Sequence, residues 1–454
     1  MPDTAFTSFG FPATGAPTSR TLPNRLAEIK NVKDWGAVGD GVTDDTAEIQ
    51  AAIDYASSPY TSANRGIIFF PPGDYLVSSP LTYESSASIL RIAFVGAPGA
   101  RVFGSVANDA IFKRSVNTPL EGPIYFEGLK VENTHATGKG ILLHSTIGGK
   151  ITNCYLNAFI GIETYNSQCI TIDSCAIIRG GGITRAGSVG VIAGNATALI
   201  SCDISAYENG LRAQNAGLLV HGGRFEVNDV GMYIGIDQTG SQSQCSSFSI
   251  HGPSMESNGS GIVIWGGAAG HVNASVSASG SSQPFDFDYG IRVIGGNDIC
   301  FDGVTVGIDD AYDVAGIAID DGDRISMNGV SSSSWVVNAD VDVSGWKSNF
   351  ARTISRSANY TTTRQDTNDT VLHPTADNNP RTFTIEANAT VPYPLGTEIT
   401  FVNQINTLTI AITSDTLTLS PGGSTGSRTL AANGVATARK VTTTSWVISG
   451  TGLT

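Results

Sequence analysis

The stretch VKDWGAVGDGVTDDTAEIQAAI, residues 32–53, reads as a short strand, a glycine-rich turn and a helix. Such a turn can hold a phosphate, hold a calcium ion, or simply redirect the chain. Gly36, Gly39 and Gly41 reverse the spacing of a dinucleotide loop. Asp44 and Asp45 also stand where a phosphate would meet the helix N-terminus, and they would repel it. Asp40, Asp44 and Asp45 lack the alternating carboxylate spacing of a calcium loop. A corner with caps accounts for more. Thr43 to Asp45 supply capping side chains, Asp45 and Glu48 stand at capping-box spacing, and acids suit the positive end of the helix dipole. Ile49, Ala52, Ile53 and Ala56 then form one apolar stripe. A helix with no helical neighbour is expected to lie over an open hydrophobic end.

Composition sets the scale around that stretch. A chain of 454 residues exceeds one ordinary core, so several domains or an elongated repeat are expected. Only 15% of residues are charged and 53 are glycine, which suits short strands and many turns. A net charge of −14 argues against a nucleic-acid grip, which needs clustered Lys and Arg. No run approaches the ~20 apolar residues of a membrane span, so no membrane insertion is expected. No basic segment with an apolar run opens the sequence, so an ordinary secretory signal is not expected. The six cysteines show no paired spacing. Cys154, Cys169, Cys175 and Cys202 sit among apolar neighbours and read as buried free thiols, in keeping with folding in a reducing cytoplasm.

The residues DWGAVGDGVTDDTAEIQAAI followed by GIIFFPPGDYLV (66–77) closely resemble the opening of the pectate-lyase-like right-handed β-helix family. That family is widespread in bacteriophage tailspikes and in secreted polysaccharide-degrading proteins. The resemblance implies that the helix plugs the mouth of a right-handed parallel β-helix. RTLPNRLAEIKNVKDWG (20–36) resembles the lead-in of tailspike-like proteins, and residues 1–30 read as an arm for virion attachment.

A coiled architecture also follows from the middle of the chain. A glycine followed by an apolar residue recurs at Gly140-Ile141, Gly161-Ile162, Gly190-Val191, Gly210-Leu211, Gly231-Met232, Gly261-Ile262, Gly290-Ile291 and Gly316-Ile317. Steps of 20 to 30 residues match one rung of a β-solenoid with variable loops. Runs such as Met232-Tyr233-Ile234 and Ile262-Val263-Ile264 alternate, with the middle residue outward, and glycine is expected at tight bends. The β-helix is assigned to 31–350. From about Asn359 Thr-rich alternation replaces the rungs: TFTIE (382–386), LTIAI (408–412), LTLS (417–420). These read as hairpins of a small antiparallel β-sandwich-like domain, 359–454. Residues 427–453 resemble a C-terminal module of phage tail proteins that caps the fibre, helps it trimerise or touches carbohydrate.

Chemistry is sought on the rungs. CDISAYENG (202–210), VHGGRFEVNDVG (220–231) and IHGPSMESNGSG (250–261) align, with Asp203, His221 and His251 each five positions before Glu208, Glu226 and Glu256. Phe225 and Met255 should point inward and the glutamates outward. Neighbouring rungs lie ~4.8 Å apart, so adjacent glutamates approach the ~5–5.5 Å of a retaining glycosidase pair. Glutamates two rungs apart approach the ~6.5–9.5 Å of an inverting pair. Crowding of carboxylates is the means by which one stays protonated as a general acid. Glu226 is the candidate acid, Glu256 or Glu208 the base or nucleophile, and Asp203, His221 and His251 the groups that orient substrate or assist proton transfer. The bland alternative is a structural corner in which Asn209, Asn228 and Asn258 stack as an amide ladder and the glutamates face water. Stacked His221 and His251 also raise a metal, but they lack a third fixed ligand.

Trp265 should project outward near Tyr233, as a platform for pyranose rings or as a subunit contact. Arg224, Arg212 and Arg292 are candidates to pair with carboxylates of an acidic glycan, and His221 with Arg224 would serve a lyase. The acids from Asp298 to Asp323 lack regular spacing and read as a solvated edge. No cofactor is called for. The resemblance implies a homotrimeric tailspike-like protein of the virion tail. It would be attached through its arm to a tail or baseplate protein and would depolymerise a bacterial capsule, exopolysaccharide or lipopolysaccharide. A non-enzymatic receptor-binding fibre and a secreted carbohydrate-active enzyme are the alternatives.

Overall fold

A computed structural model describes residues 28–57, 66–83, 92–114, 120–164, 166–180, 185–235, 245–277, 289–307, 315–321, 324–332, 335–337, 343–344, 353–363 and 366–454, with the backbone also at 10–11 and 20–21. Contacts divide the chain into two compact units, Met1–Val336 with Asp342–Ser344, and Val337–Val341 with Gly345–Thr454.

The first unit is a parallel β-helix. From Ile92 to His221 nearly every strand pairs in parallel with the third strand before and after it, which generates three faces. On successive rungs the first face carries Ile124–Glu127 within Leu120–Glu127, then Thr146–Thr152, Gln168–Asp173 and Thr197–Ile200. The second carries Lys130–Asn133, Tyr155–Asn157, Ala176–Ile178, Asp203–Ser205 and Arg224–Glu226. The third carries Lys139–Leu143, Ile160–Glu163, Val189–Ala193, Asn209–Ala213 and Val230–Ile234. From Cys245 onward the strands Cys245–Glu256, Ser260–Ser277 and Tyr289–Asp302 run through more than one face.

The apolar residue of every glycine pair falls into one inward column on the third face: Ile141, Ile162, Val191, Leu211, Met232, Ile262, Ile291 and Ile317 are successive register partners. The glycines themselves are not at bends, as had been expected. They lie inside these strands, and a Cβ on Gly140, Gly161, Gly190, Gly210, Gly231, Gly261 or Gly290 would meet the carbonyl oxygen of the next glycine at 2.4–2.7 Å. Glycine is required there for close approach of neighbouring rungs. The bends between the first and second faces use left-handed residues instead, among them Gly128, Asn153, Ser174, Ser201 and Gly222.

The helix Thr46–Ser57 (α1) buries Ile49, Ala52, Ile53 and Ala56, the stripe read from the sequence. The preceding turn is a corner. Gly36, Gly39 and Gly41 adopt positive φ, and the Asp45 carboxylate accepts hydrogen bonds from the Val38 and Gly39 N–H groups at 2.6 and 3.0 Å. Asp45 therefore closes the turn upstream, and the capping box with Glu48 does not form. Of the four cysteines read as buried, Cys154, Cys175 and Cys202 are, whereas Cys169 is exposed; all six are free thiols.

The second unit is a β domain of mixed pairing, not a set of antiparallel hairpins. Thr353–Ser355, Thr370–His373 and Glu398–Asn403 pair in parallel, as do Arg381–Ile385 and Leu408–Ile412. Only the long strand Arg428–Thr442 runs antiparallel, to Glu398–Asn403, Leu408–Ile412 and Ser445–Leu453. Alternation of period two is common to both pairings, so the Thr-rich pattern does not distinguish them. Phe383, Phe401, Ile410, Leu417 and Trp446 form the core. Among the described residues no helix is long and apolar enough to cross a membrane.

Candidate functional site

The glutamates expected in one file of three form a file of two. Phe225 and Met255 are register partners and point into the core, so Glu226 and Glu256, also partners, project half-buried from the second face. The residue in register with Glu226 on the preceding rung is Ser205. Glu208 lies three residues further on, past the corner. The sequence alignment misplaced it because Glu208 directly precedes Asn209, while Glu226 and Glu256 precede Asn228 and Asn258 by two. The amide ladder is correspondingly Asn228 and Asn258. Both are buried, with Asn228 Nδ2 donating to Asn258 Oδ1 at 3.1 Å. Asn209 instead donates from Nδ2 to Glu208 Oε1 at 3.1 Å.

Asp203 also leaves its expected column: its register partner is Arg224, not His221. This creates a charge cluster. Arg224 Nη2 donates to Asp203 Oδ2 at 2.8 Å, and Nη1 stands 3.2 Å from Glu226 Oε2. Asp203, Glu226 and Glu256 together hold the Arg224 guanidinium above its ordinary range, Asp203 most strongly. Ser254 Oγ donates to Glu256 Oε1 at 2.6 Å. His221 and His251 are register partners at the end of the first face. His251 shares a 2.7 Å hydrogen bond with Ser249 Oγ and packs 5.0 Å from the His271 ring. Among the described residues no group of three or more His, Cys, Asp or Glu is placed to hold a metal.

Tyr233 and Trp265 meet on the third face, nearly parallel at 21° with ring centroids 6.2 Å apart. They are therefore on a different face from Glu226 and Glu256. Arg212 precedes Tyr233 in its register column and Arg292 follows two rungs later, past Val263, but Arg212 stands 3.6 Å from Glu208, and Arg292 pairs with Asp320 at 2.7 Å. In the acidic edge Asp298 binds Arg324 through both carboxylate oxygens, and Asp309, Asp310, Asp313 and Asp323 lie outside the described residues. One acid was missed by sequence reading: Asp229, which precedes Val230 as Glu208 precedes Asn209, the register partner of Val230, and whose carboxyl is raised by burial and further by Glu208. Its signal was available in the equal distance of four residues from Glu208 to Arg212 and from Asp229 to Tyr233.

Comparison with known proteins adds the following. The family described as Rhamnogalacturonase A/epimerase, pectate lyase-like, matches residues 29–125. A stretch of 48 residues is 58% identical to the mannuronan C5-epimerase AlgE1 of Azotobacter vinelandii, covering 11% of this chain and 3% of that protein. Another of 85 residues is 44% identical to the non-secreted LysM effector LysM19 of Penicillium expansum, covering 17% and 6%. The matches thus span only a small fraction of the length of these curated relatives. Among solved structures, a variant of the tailspike protein of E. coli bacteriophage HK620 superposes with a TM-score of 0.56 at 13% identity, over 99% of this chain and 94% of that one. A second variant, solved in complex with a pentasaccharide, gives 0.54 at 14% identity over 84% and 75%. Residues 29–125 thus match the pectate-lyase-like family model, and the chain is similar in fold, a right-handed parallel β-helix, to a phage tailspike.

Proposed function

We propose that the protein binds and cleaves a bacterial surface polysaccharide as a tailspike-like glycoside hydrolase, with Glu226 and Glu256 as the acting pair. The observation that carries this reading is that the two carboxylates are register partners on adjacent rungs of an open face. Their ~4.8 Å rung spacing lies near the ~5–5.5 Å separation of retaining enzymes. Glu226 protonates the glycosidic oxygen as the bond to the anomeric carbon breaks, and Glu256 attacks that carbon. Water, deprotonated by Glu226, then releases the glycosyl group. Asp203, His221 and His251 orient the sugar, and Arg224 balances the charge of the cluster. The tailspike fold supports a homotrimer in a virion tail, joined to a tail protein through the N-terminal arm and acting at the bacterial surface.

One observation favours a second reading, a receptor-binding fibre without catalysis: Asp203 and Glu226 are both engaged by Arg224. Incubation with capsule or lipopolysaccharide separates the two readings. New reducing ends, lost in Glu226→Gln while adsorption to cells is kept, establish the hydrolase. An unsaturated uronide absorbance would establish a lyase, and adsorption without either product the fibre.

A further inference from the structure

The early rungs of the second face hold a cleft of about 300 Å³ whose lining includes Asp74, Arg101, Lys130, Asn153 and Tyr155. Arg101 lies in the strand Ala100–Gly104, Lys130 in Lys130–Asn133 and Tyr155 in Tyr155–Asn157, and the three are successive register partners. Two residues before each of them the chain makes a left-handed bend, at Gly99, Gly128 and Asn153. The two glycines carry no side chain, which leaves room beside the charged groups. The Lys130 ammonium stands 5.1 Å from the centre of the Tyr155 ring.

Two cations here face one buried acid. Arg101 Nε donates to Glu132 Oε2, and Lys130 Nζ stands 3.2 Å from Oε1 of the same carboxylate. Asp74 is exposed and meets Arg101 Nη1 only at 3.5 Å, a surface contact of little worth. Balancing Glu132 takes one unit of positive charge and leaves the other at the cleft, on a Lys130 side chain 45% exposed, in a protein of net charge −14. The Tyr155 hydroxyl and the Asn153 amide have no hydrogen-bond partner among the described residues, and both residues line the cleft. From here the face leads to the carboxylate pair. One outward column runs from Tyr155 through Ala176 and Asp203 to Arg224, and the next through Ile178 and Ser205 to Glu226. Three rungs, about 14 Å at ~4.8 Å each, separate Tyr155 from Arg224, and the small Ala176 and Ser205 leave the way between them open.

We propose that the Arg101–Lys130–Tyr155 cleft is an anion subsite that fixes the position of an acidic polysaccharide on the second face. The glycan runs along the stack, and a carboxylate or phosphate substituent three to four rungs from the Glu226–Glu256 pair is held by Lys130 and the free edge of Arg101. Tyr155 and Asn153 take hydroxyls of the same sugar. A protein of this net charge repels an acidic polymer over most of its surface, so a local surplus of positive charge selects where the polymer settles. The inference rests on the reading of this protein as a glycan-cleaving enzyme and names its substrate class.

The test uses the full chain carrying Glu226→Gln, so that cleavage does not consume the ligand. The probes are uronate-containing capsule oligosaccharides, the same chains with their carboxyls reduced to alcohols, and phosphodiester-containing capsule oligosaccharides. Uronate or phosphodiester chains should bind, which tells the two sources of the anion apart. Lys130→Met should weaken that binding about tenfold, the loss of one charge-assisted contact. Arg101→Met combined with Glu132→Gln, which leaves no buried carboxylate unpaired, should do the same, and Tyr155→Phe should weaken it less. With Glu226 intact, Lys130→Met should raise KM for the acidic polysaccharide and leave kcat unchanged. Equal binding of uronate chains and their reduced forms without any phosphodiester binding, unchanged affinity in Lys130→Met or in the double variant, or no binding of any probe would overturn the subsite. Cleavage that survives in Glu226→Gln would overturn the hydrolase assignment and leave the binding result to stand by itself.

Discussion

A methyl group placed on Gly210 would lie 2.6 Å from the carbonyl oxygen of Gly231 on the next rung. The obstacle is backbone, not a side chain that can swing away, so the two rungs would have to separate or slide. Gly210→Ala is expected to destabilise the protein by about 1–3 kcal/mol through overpacking. Gly396, where a Cβ meets nothing within 4 Å, has a positive φ of 86° and would show backbone strain alone. Thermal unfolding of both variants checks the difference. A Gly210→Ala protein as stable as the parent would contradict the close-packed glycine column.

Asn228 satisfies three neighbours from inside the corner. Its Oδ1 accepts the Tyr207 N–H at 3.0 Å, and its Nδ2 donates to the Ile204 carbonyl at 3.2 Å and to Asn258 Oδ1. Asn228→Ala leaves buried backbone groups without partners and is expected to cost about 2–4 kcal/mol, since each such loss costs ~1–3 kcal/mol. Asn209→Ala should cost less, because its amide bonds only the neighbouring Glu208 side chain among the described contacts. Denaturant unfolding should rank the two variants in that order.

These two cases mark what was legible. A repeat of glycine and apolar residues fixes register wherever its spacing is regular, and all eight pairs fell into one column. The helix over the opening was legible for a similar reason: Ile49, Ala52, Ile53 and Ala56 leave one face to bury. The corners were not. A corner of one residue more or less moves a side chain from the second face to the third, and Glu208 and Asn209 were lost from their columns in this way. Asp203 and Arg224 became partners because two residues equally placed after the preceding bend share a register, which no local pattern displays.

In the second unit buried His373 and Asp377 form a chain with the half-buried Arg381. Arg381 Nε and Nη2 donate to Asp377 at 2.6 and 3.0 Å, and His373 Nδ1 bonds Asn403 Oδ1 at 2.8 Å. The hydrogen bonds from Arg381, then that from Asn379, hold the Asp377 carboxyl well below its ordinary range. A carboxyl depressed on folding contributes stability that is fully present above its unfolded value, near ~3.9. That contribution is lost as pH falls from there through the folded value. Hydrogen exchange at Phe383 and Ile410 should therefore accelerate below about pH 4. Asp377→Asn should remove most of that acid dependence while raising exchange at neutral pH.

Arg224 gives the sharpest test of the acting pair, because its charge is felt by Asp203, Glu226 and Glu256 at once. Arg224→Met removes the cation and keeps a comparable stem. Without it Asp203 and Glu226 lose the cation they share, and Glu226 loses the contact that holds its carboxyl in place. The kcat of polysaccharide cleavage is expected to fall about 10–100-fold through misplacement of the acting group. Arg224→Lys should restore part of that loss. If Arg224 only anchors the rung structurally, Arg224→Met will lower the unfolding temperature and leave the kcat of the folded protein where it was. That result would remove the charge cluster from the mechanism.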